Sequence, residues 1–245
     1  MQAARKILCI LAYSVFVGIP SAHADPVDLF APGDLSECRA PLGDWTMAGE
    51  VSVDPADEKR LVWSSGNTVA VNGVKGKTED LHTAAEFGDV EVHVEFMVPK
   101  GSNSGVYLMG RYEIQVMDSW GEEHLKYSDC GGIYQRHDEV NDKGFEGHAP
   151  RVNASKKPGE WQTFDITFRA PRFDADGKKT ADAVFEKVLL NGVLIHENVS
   201  VSGPTRSGTY KDEKPLGPLM FQGDHGPVAY RNVRISEVSE SEPGK

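Results

Sequence analysis

Apolar and polar residues that alternate with a period of two predict an all-β fold, with two antiparallel sheets packed face to face. The clearest example is VEVHVEFMV at 90–98, where apolar residues share one face and polar residues share the other. Asn191-Gly192 lies between two apolar runs and fits the left-handed turn of a hairpin. Helical periodicity is weak throughout, so the strands account for the fold.

Each further predicted strand shows the same alternation or follows a turn signal. Gly105 to Met109 follows the turn-rich segment KGSNS, and the strand from Arg111 to Met117 comes next. The remaining strands are expected at 161–168, 184–190, 193–195 and 230–238. The polar stretch at 118–159 is rich in Gly, Asp, Glu and His, and a loop of this length in a compact domain is usually functional.

The first residues have the order of a secretory signal peptide. Arg5 and Lys6 precede an apolar stretch at 7–19, and Ala22-His23-Ala24 matches a cleavage site before Asp25. We therefore expect a signal peptide at 1–24, one β-sandwich domain at 25–238 and a flexible tail at 239–245. The expected location is the periplasm or the exterior.

Charge and cysteine content limit the partners. The net charge of the 245-residue chain is −11, and an acidic surface repels phosphate backbones, so a nucleic acid is not expected as partner. No later apolar run is long enough to cross a membrane, so no membrane partner is expected. Cys38 and Cys130 could form a disulfide in an oxidising compartment or remain separate buried thiols, and the sequence leaves both open.

The strand from Arg111 to Met117 carries a polar stripe that suits a sugar. Arg111, Glu113 and Gln115 alternate with apolar residues, and Trp120 follows. A sugar stacks its C–H face on aromatic rings, while its hydroxyls need donors and acceptors. The alternative is an ordinary solvated outer face of a sheet.

A second polar cluster is the turn FQGDHGP at 221–227. Its two glycines let the backbone bring Asp224 and His225 close to a ligand, although a plain turn explains the residues equally well. Asn103 lies in a third, weaker cluster, NSGVY. No strand carries a pair of carboxylates in the usual pattern of a retaining glycosidase, which disfavours that mechanism.

At these clusters the chain resembles the 3-keto-disaccharide hydrolase family. The resemblance covers most of 87–235 and rests on these segments: FGDVEVHVEF, NSGVYLMGRYEIQVMD, GGIY, VNASKKPGEWQTFDITFRAPRFD, NGVLIHENV and GPLMFQGDHGPVAYRNVRI. It implies a concanavalin A-like jelly roll and cleavage of glycosides that carry a ketone at C3 of the sugar. One departure is Gly223, which is inserted into the family's usual Gln-Asp-His-Gly turn.

Such a ketone acidifies the C2 proton, so one base can start elimination of the glycosidic oxygen, and water then adds to the enone. The resemblance implies Glu113 or His225 as the base and Arg111 or Arg231 as the group that stabilises the enolate. Arg231 reaches the site only if a β-bulge intervenes. The residues expected to bind the substrate, besides Arg111, are Asn103, Gln115, Tyr134, Gln222 and Asp224.

Two further points stay open at this stage. A divalent metal that bridges the enolate oxygens is compatible with the chemistry, but no ligand spacing demands one. The alternative to an enzyme is a non-catalytic sugar-binding module, because the same jelly roll serves lectins and a fold does not determine a function. In both cases the expected partner is an oligosaccharide or a glycoside.

Overall fold

The computed structural model describes residues 26–238, and these contain strands and no helix. The predicted signal peptide and tail lie outside the described residues. The strands are, in chain order, β1 (Val27–Asp28), β2 (Thr46–Ala48), β3 (Val51–Asp54), β4 (Asp57–Trp63), β5 (Val69–Val71), β6 (Leu81–His82), β7 (Val90–Met97), β8 (Asn103–Leu108), β9 (Tyr112–Met117), β10 (Arg136–Asp138), β11 (Lys143–Phe145), β12 (Gln162–Arg169), β13 (Arg172–Phe173), β14 (Lys179–Ala181), β15 (Ala183–Leu190), β16 (Val193–Val201), β17 (Met220–Phe221) and β18 (Ala229–Glu237).

Two antiparallel sheets form the sandwich. The larger sheet has eight strands in the order β16-β15-β12-β7-β18-β5-β2, and β1 also pairs with β18. The smaller sheet has four strands in the order β6-β17-β8-β9. Three two-stranded ribbons, β3–β4, β10–β11 and β13–β14, are attached to them. The predicted all-β jelly-roll fold is confirmed.

The hydrophobic core lies between the two sheets. Tyr112 of the smaller sheet packs against Phe168 of the larger sheet, with ring centroids 5.3 Å apart. Phe221 and Tyr230 make a second contact between the sheets at 4.6 Å. In β7 the apolar residues of the alternating pattern are buried in this core, so the predicted faces of that strand are confirmed. The apolar faces of both sheets are thereby removed from water.

The predicted hairpin joins β15 to β16. Asn191 and Gly192 have φ angles of 53° and 79°, the left-handed values that a type I′ turn requires. Cys38 and Cys130 are free thiols, and burial raises the pKa of both. The disulfide that the sequence left open is therefore not formed. Within residues 26–238 no helix is long and apolar enough to cross a membrane.

Phe168→Ala should destabilise the fold, because Phe168 is fully buried and its ring also lies 5.1 Å from that of Phe185. Truncating a buried Phe in this way costs about 3–5 kcal/mol of the free energy of unfolding, which urea denaturation measures. Val140→Ala, at an exposed position, is the matched control and should change the free energy by less than about 0.5 kcal/mol. Similar stabilities for the two variants would contradict this account of the core.

Candidate functional site

The polar stripe of β9 lies on the face of the smaller sheet that points away from the hydrophobic core. Tyr112, Ile114 and Val116 are buried in the core, as the alternation predicts. Glu113 and Gln115 lie on the opposite face, yet each is only 3 % exposed. The alternative of a solvated outer face is therefore wrong for this strand. Segments that follow β9 and β16 hydrogen-bond along its edge, where Tyr134 N–H donates to the Glu113 carbonyl and Thr205 N–H to the Arg111 carbonyl.

A glycine makes room for the carboxyl group of Glu113. In the antiparallel register of β8 and β9, Tyr107 lies opposite Glu113 and Gly105 opposite Gln115. A Cβ atom on Gly105 would lie 2.6 Å from Oε1 of Glu113 and 2.7 Å from the Tyr107 ring, so a larger residue here would displace these side chains. The Tyr107 hydroxyl donates a hydrogen bond to the Glu113 carboxyl group. The register of two strands thus fixes the position of this acid.

The environment of Glu113 favours its neutral form. Its pKa is raised from 4.5 to about 8, chiefly by burial and further by the charges of Asp80 and Asp224, while the hydrogen bond from Tyr107 lowers it. A carboxyl group with such a pKa holds its proton at neutral pH and is a stronger base than an ordinary carboxylate once it has lost that proton.

Two residues that the sequence analysis missed join this face. Met220 of β17 pairs with both Tyr107 and His82, so His82 lies in the same cross-strand row as Glu113. Nε2 of His82 lies 3.0 Å from the Thr209 hydroxyl, and burial lowers the pKa of the imidazole. Burial raises the pKa of Asp80. The signal was present, because Asp80, Leu81 and His82 alternate around a buried Leu.

A side-chain amide on this face has an oxygen with no partner. Nε2 of Gln115 donates to Oδ1 of Asn103 over 3.1 Å. Oε1 of Gln115 is buried and accepts no hydrogen bond from any residue in the described part of the chain. Buried polar atoms are normally paired, so this oxygen is suited to accept a hydrogen bond from a bound hydroxyl. The structure therefore brings together Asn103 and Gln115, two of the residues that the sequence analysis expected to bind the substrate.

The turn at 222–226 borders the same face. The Gln222 backbone N–H donates to the Gly105 carbonyl, and this places the Gln222 side chain beside Gly105, away from the core. Nδ1 of His225 contacts Oδ1 of Asp224, and both side chains are about half exposed. His225 is close enough to Asp80 for its charge to lower the pKa of that carboxyl group. The turn therefore forms the open edge of the buried group.

The inserted Gly223 fits this turn without disrupting it. Its backbone N–H donates to Oδ1 of Asp80 over 2.9 Å. A Cβ atom here would lie 2.3 Å from the Glu79 carbonyl oxygen, so only glycine fits. The Asn72 side chain donates to the carbonyls of Gly223 and Gly226 and holds the turn in place. Gly223 therefore attaches the turn to Asp80, the residue directly before β6.

Tyr134 reaches the same face from the long segment after β9. Its backbone N–H donates to the Glu113 carbonyl, and its ring packs edge-on against Tyr127. Burial raises the pKa of the Tyr134 phenol, and so does the Glu113 charge, while Arg206 lowers it. The Tyr134 side chain is therefore partly exposed and close enough to Glu113 for their charges to interact.

Neither arginine that the sequence predicted for the enolate joins the group. The guanidinium of Arg111 donates to the carbonyl oxygens of Met109 and Asp212 and lies over the Tyr210 ring, so it holds the segment around Asp212 in place. Arg231 points to the outer face of the larger sheet, where its Nε donates to Glu95. A bulge does intervene, but it directs Arg231 away from Glu113 and not towards it.

No metal site is visible among these residues. Within 26–238, no three His, Cys, Asp or Glu side chains are grouped as ligands of one ion. The chemistry that the described residues offer is therefore that of a buried acid, several hydroxyl and amide groups and a partly exposed imidazole.

Comparison with solved structures supports the same fold. A candidate glycosyl hydrolase from Parabacteroides distasonis ATCC 8503 is 29 % identical, with a TM-score of 0.61 over 88 % of this chain and 84 % of that one. A second candidate glycosyl hydrolase from the same organism is 21 % identical, with a TM-score of 0.54 over 88 % of this chain and all of that one. No curated protein has significant sequence similarity to the chain.

The sequence resemblance is confirmed by the family profile of the 3-keto-α-glucoside-1,2-lyase-like domain. That profile matches residues 40–236, which include every residue of the buried group. The protein therefore belongs to the 3-keto-α-glucoside-1,2-lyase-like family.

Proposed function

We propose that the protein is an exported enzyme that cleaves 3-keto-glycosides by elimination, with Glu113 as the base. The observation that carries the proposal is a single buried carboxyl group whose pKa is about 8. A proton next to a ketone is acidic enough for such a base to remove at neutral to mildly basic pH. Family membership supports the substrate class.

The proposed reaction has two steps. Ionised Glu113 removes the C2 proton, and the C2–H electrons form the C1–C2 double bond as the C1–O bond breaks. The leaving oxygen takes its electron pair and a proton, and His225 at the open edge of the site is the proposed donor. Water then adds across the double bond to give the free 3-keto sugar. Tyr134 and Gln222 provide donors for the ketone oxygen, on which charge develops.

The unpaired oxygen of Gln115 supports a sugar in this position. It accepts a hydrogen bond, so the group opposite must be a donor such as a hydroxyl. The side-chain N–H of Gln115 already donates a hydrogen bond to Asn103, and this bond fixes the orientation of the amide. A polar atom left unpaired in the free protein gains its partner only when the substrate binds, which gives selectivity for a hydroxyl at that place.

Ordinary glycoside hydrolysis is the second candidate, because the structure adds Asp80, a carboxylate that the sequence analysis did not find, to Asp224. Asp80 and Asp224 act electrostatically on Glu113, and a pair of carboxyl groups is the usual equipment of a glycosidase. The related structures of candidate glycosyl hydrolases agree with this alternative. The two candidates differ in whether the sugar must carry a ketone.

The substrate test uses a 3-keto-disaccharide and its unoxidised parent. We expect release of 3-keto-glucose from 3-keto-trehalose or 3-keto-lactose and no cleavage of trehalose or lactose, because their C2 protons are not acidic. Deuterium at C2 should slow the reaction wherever proton removal limits the rate. Ready hydrolysis of the unoxidised sugars would favour the second candidate and exclude elimination.

Glu113→Gln should lower kcat by roughly 10²–10⁴-fold, the usual share of a general base. Substrate affinity should change far less, because a base acts mainly in the transition state. In the unmodified enzyme, kcat/KM should rise with pH up to about 8, because only ionised Glu113 accepts the proton. Glu139→Gln, at an exposed position, is the control. Full activity of Glu113→Gln would remove Glu113 from the mechanism.

The same substitution should stabilise the protein at high pH. The unfolded chain ionises Glu113 near its ordinary pKa of 4.5, whereas the folded chain keeps the proton up to about 8. The folded state therefore binds more protons between these values, and its stability falls as pH rises through that window. Glu113→Gln, which removes this ionisation, should have the higher Tm at pH 9, and the advantage should shrink towards pH 5. An advantage that is the same at both pH values would contradict the raised pKa.

A further inference from the structure

A polar groove crosses the outer face of the larger sheet, on the side of the sandwich opposite Glu113. Its volume is about 730 Å³. One wall is the β3–β4 ribbon, with Glu50 and Ser52 at its start, and the other contains Trp161, Arg231 and Asn232. We call this the outer groove. The whole hydrophobic core separates it from the buried carboxyl group.

A β-bulge directs two consecutive side chains towards this groove. The register between β18 and β7 shifts between Arg231 and Arg234, and Asn232 has a left-handed φ of 48°. In a regular strand, residues 231 and 232 would point to opposite faces. Here Nε of Arg231 and Nδ2 of Asn232 both donate to the Glu95 carboxylate, each over 2.7 Å. Bulges of this kind re-aim side chains near functional sites.

The groups at the groove are held in place before any ligand arrives. The Arg231 guanidinium lies 3.9 Å from the centroid of the Trp161 ring. Burial would raise the pKa of Glu95, but the hydrogen bonds from Asn232 and Arg231 outweigh it, and the pKa is lowered. The two Nη amino groups of Arg231 donate to no residue in the described part of the chain. Fixed, unused donors of this kind are what a ligand site requires.

We propose that the outer groove is a second carbohydrate-binding site, which takes a neutral oligosaccharide. The groove offers hydroxyl, amide and guanidinium groups as donors and Glu50 as an acceptor, and its charges are of both signs. This mixture matches the hydroxyls of an uncharged sugar. The net charge of −11 opposes a polyanion. The site holds a glycan and does no chemistry on it.

The test titrates the protein with cellotetraose, maltotetraose and, as an anionic comparison, tetragalacturonate, followed by NMR. We expect at least one neutral tetrasaccharide to shift the indole N–H resonance of Trp161, which Trp161→Phe identifies. Arg231→Ala should weaken this binding by about tenfold or more. Arg234→Ala changes an arginine of the same strand that does not line the outer groove, and it should bind normally.

A groove-filling variant covers the case in which Arg231→Ala does not fold. Ser52→Tyr replaces an exposed side chain and leaves the core untouched, and it should abolish the Trp161 shift as well. Activity towards a 3-keto-disaccharide should be unchanged in Ser52→Tyr, so failure of this proposal is separable from failure of the enzymatic one. Three results would overturn the second site. The first is no shift of the Trp161 resonance with any neutral tetrasaccharide up to about 10 mM. The second is a set of shifts confined to the Gln115 side-chain amide. The third is binding by Arg231→Ala and Ser52→Tyr that equals binding by the unmodified protein.

Discussion

The antiparallel register of β8 and β9 is the constraint on which the proposed site depends. It places the carboxyl group of Glu113 opposite Tyr107 and beside Gly105, where a larger residue would displace that carboxyl group. A shift by one residue would move Glu113 into the hydrophobic core and Ile114 out of it. The apolar contacts of Tyr112 and Ile114 with the larger sheet therefore fix the position of Glu113 on the other face. Burying a carboxyl group is unfavourable, and the favourable packing of these two side chains offsets that cost.

Much of this arrangement could be predicted from the sequence because it follows from local alternation. The two faces of β9, the turn at Asn191-Gly192 and the proximity of Asn103 to Gln115 all depend on neighbouring residues or on one hairpin. The site residues that were missed depend on distant segments. His82 belongs to a strand of two residues, and only its pairing with β17 brings it into the row of Glu113. The alternation of Asp80, Leu81 and His82 is present in the sequence, but three residues are too few to identify a strand by periodicity.

The two arginines show a different limit of sequence reasoning. Arg111 has the expected position on its strand, but the segment around Asp212 returns about a hundred residues later and takes up its donors. Arg231 was expected to need a bulge, and the bulge exists, but the face that it selects depends on the carboxylate of Glu95 in the neighbouring strand. A pattern of residues indicates which side chains share a face, whereas the partner of each charge is decided by tertiary contacts.

Because neither arginine lies in the site, the negative charge of the enolate in the proposed reaction would have to be stabilised by other groups. A nearby cation would lower the pKa of Glu113, and a weaker base would result. Burial and the like charges of Asp80 and Asp224 have the opposite effect. In the proposed reaction, neutral donors such as the Tyr134 hydroxyl would stabilise charge on the ketone oxygen and would lower the basicity of Glu113 less than a full positive charge would. A site that combines a strong carboxylate base with uncharged donors is therefore suited to a substrate whose own ketone already acidifies the proton, and poorly suited to one that lacks it.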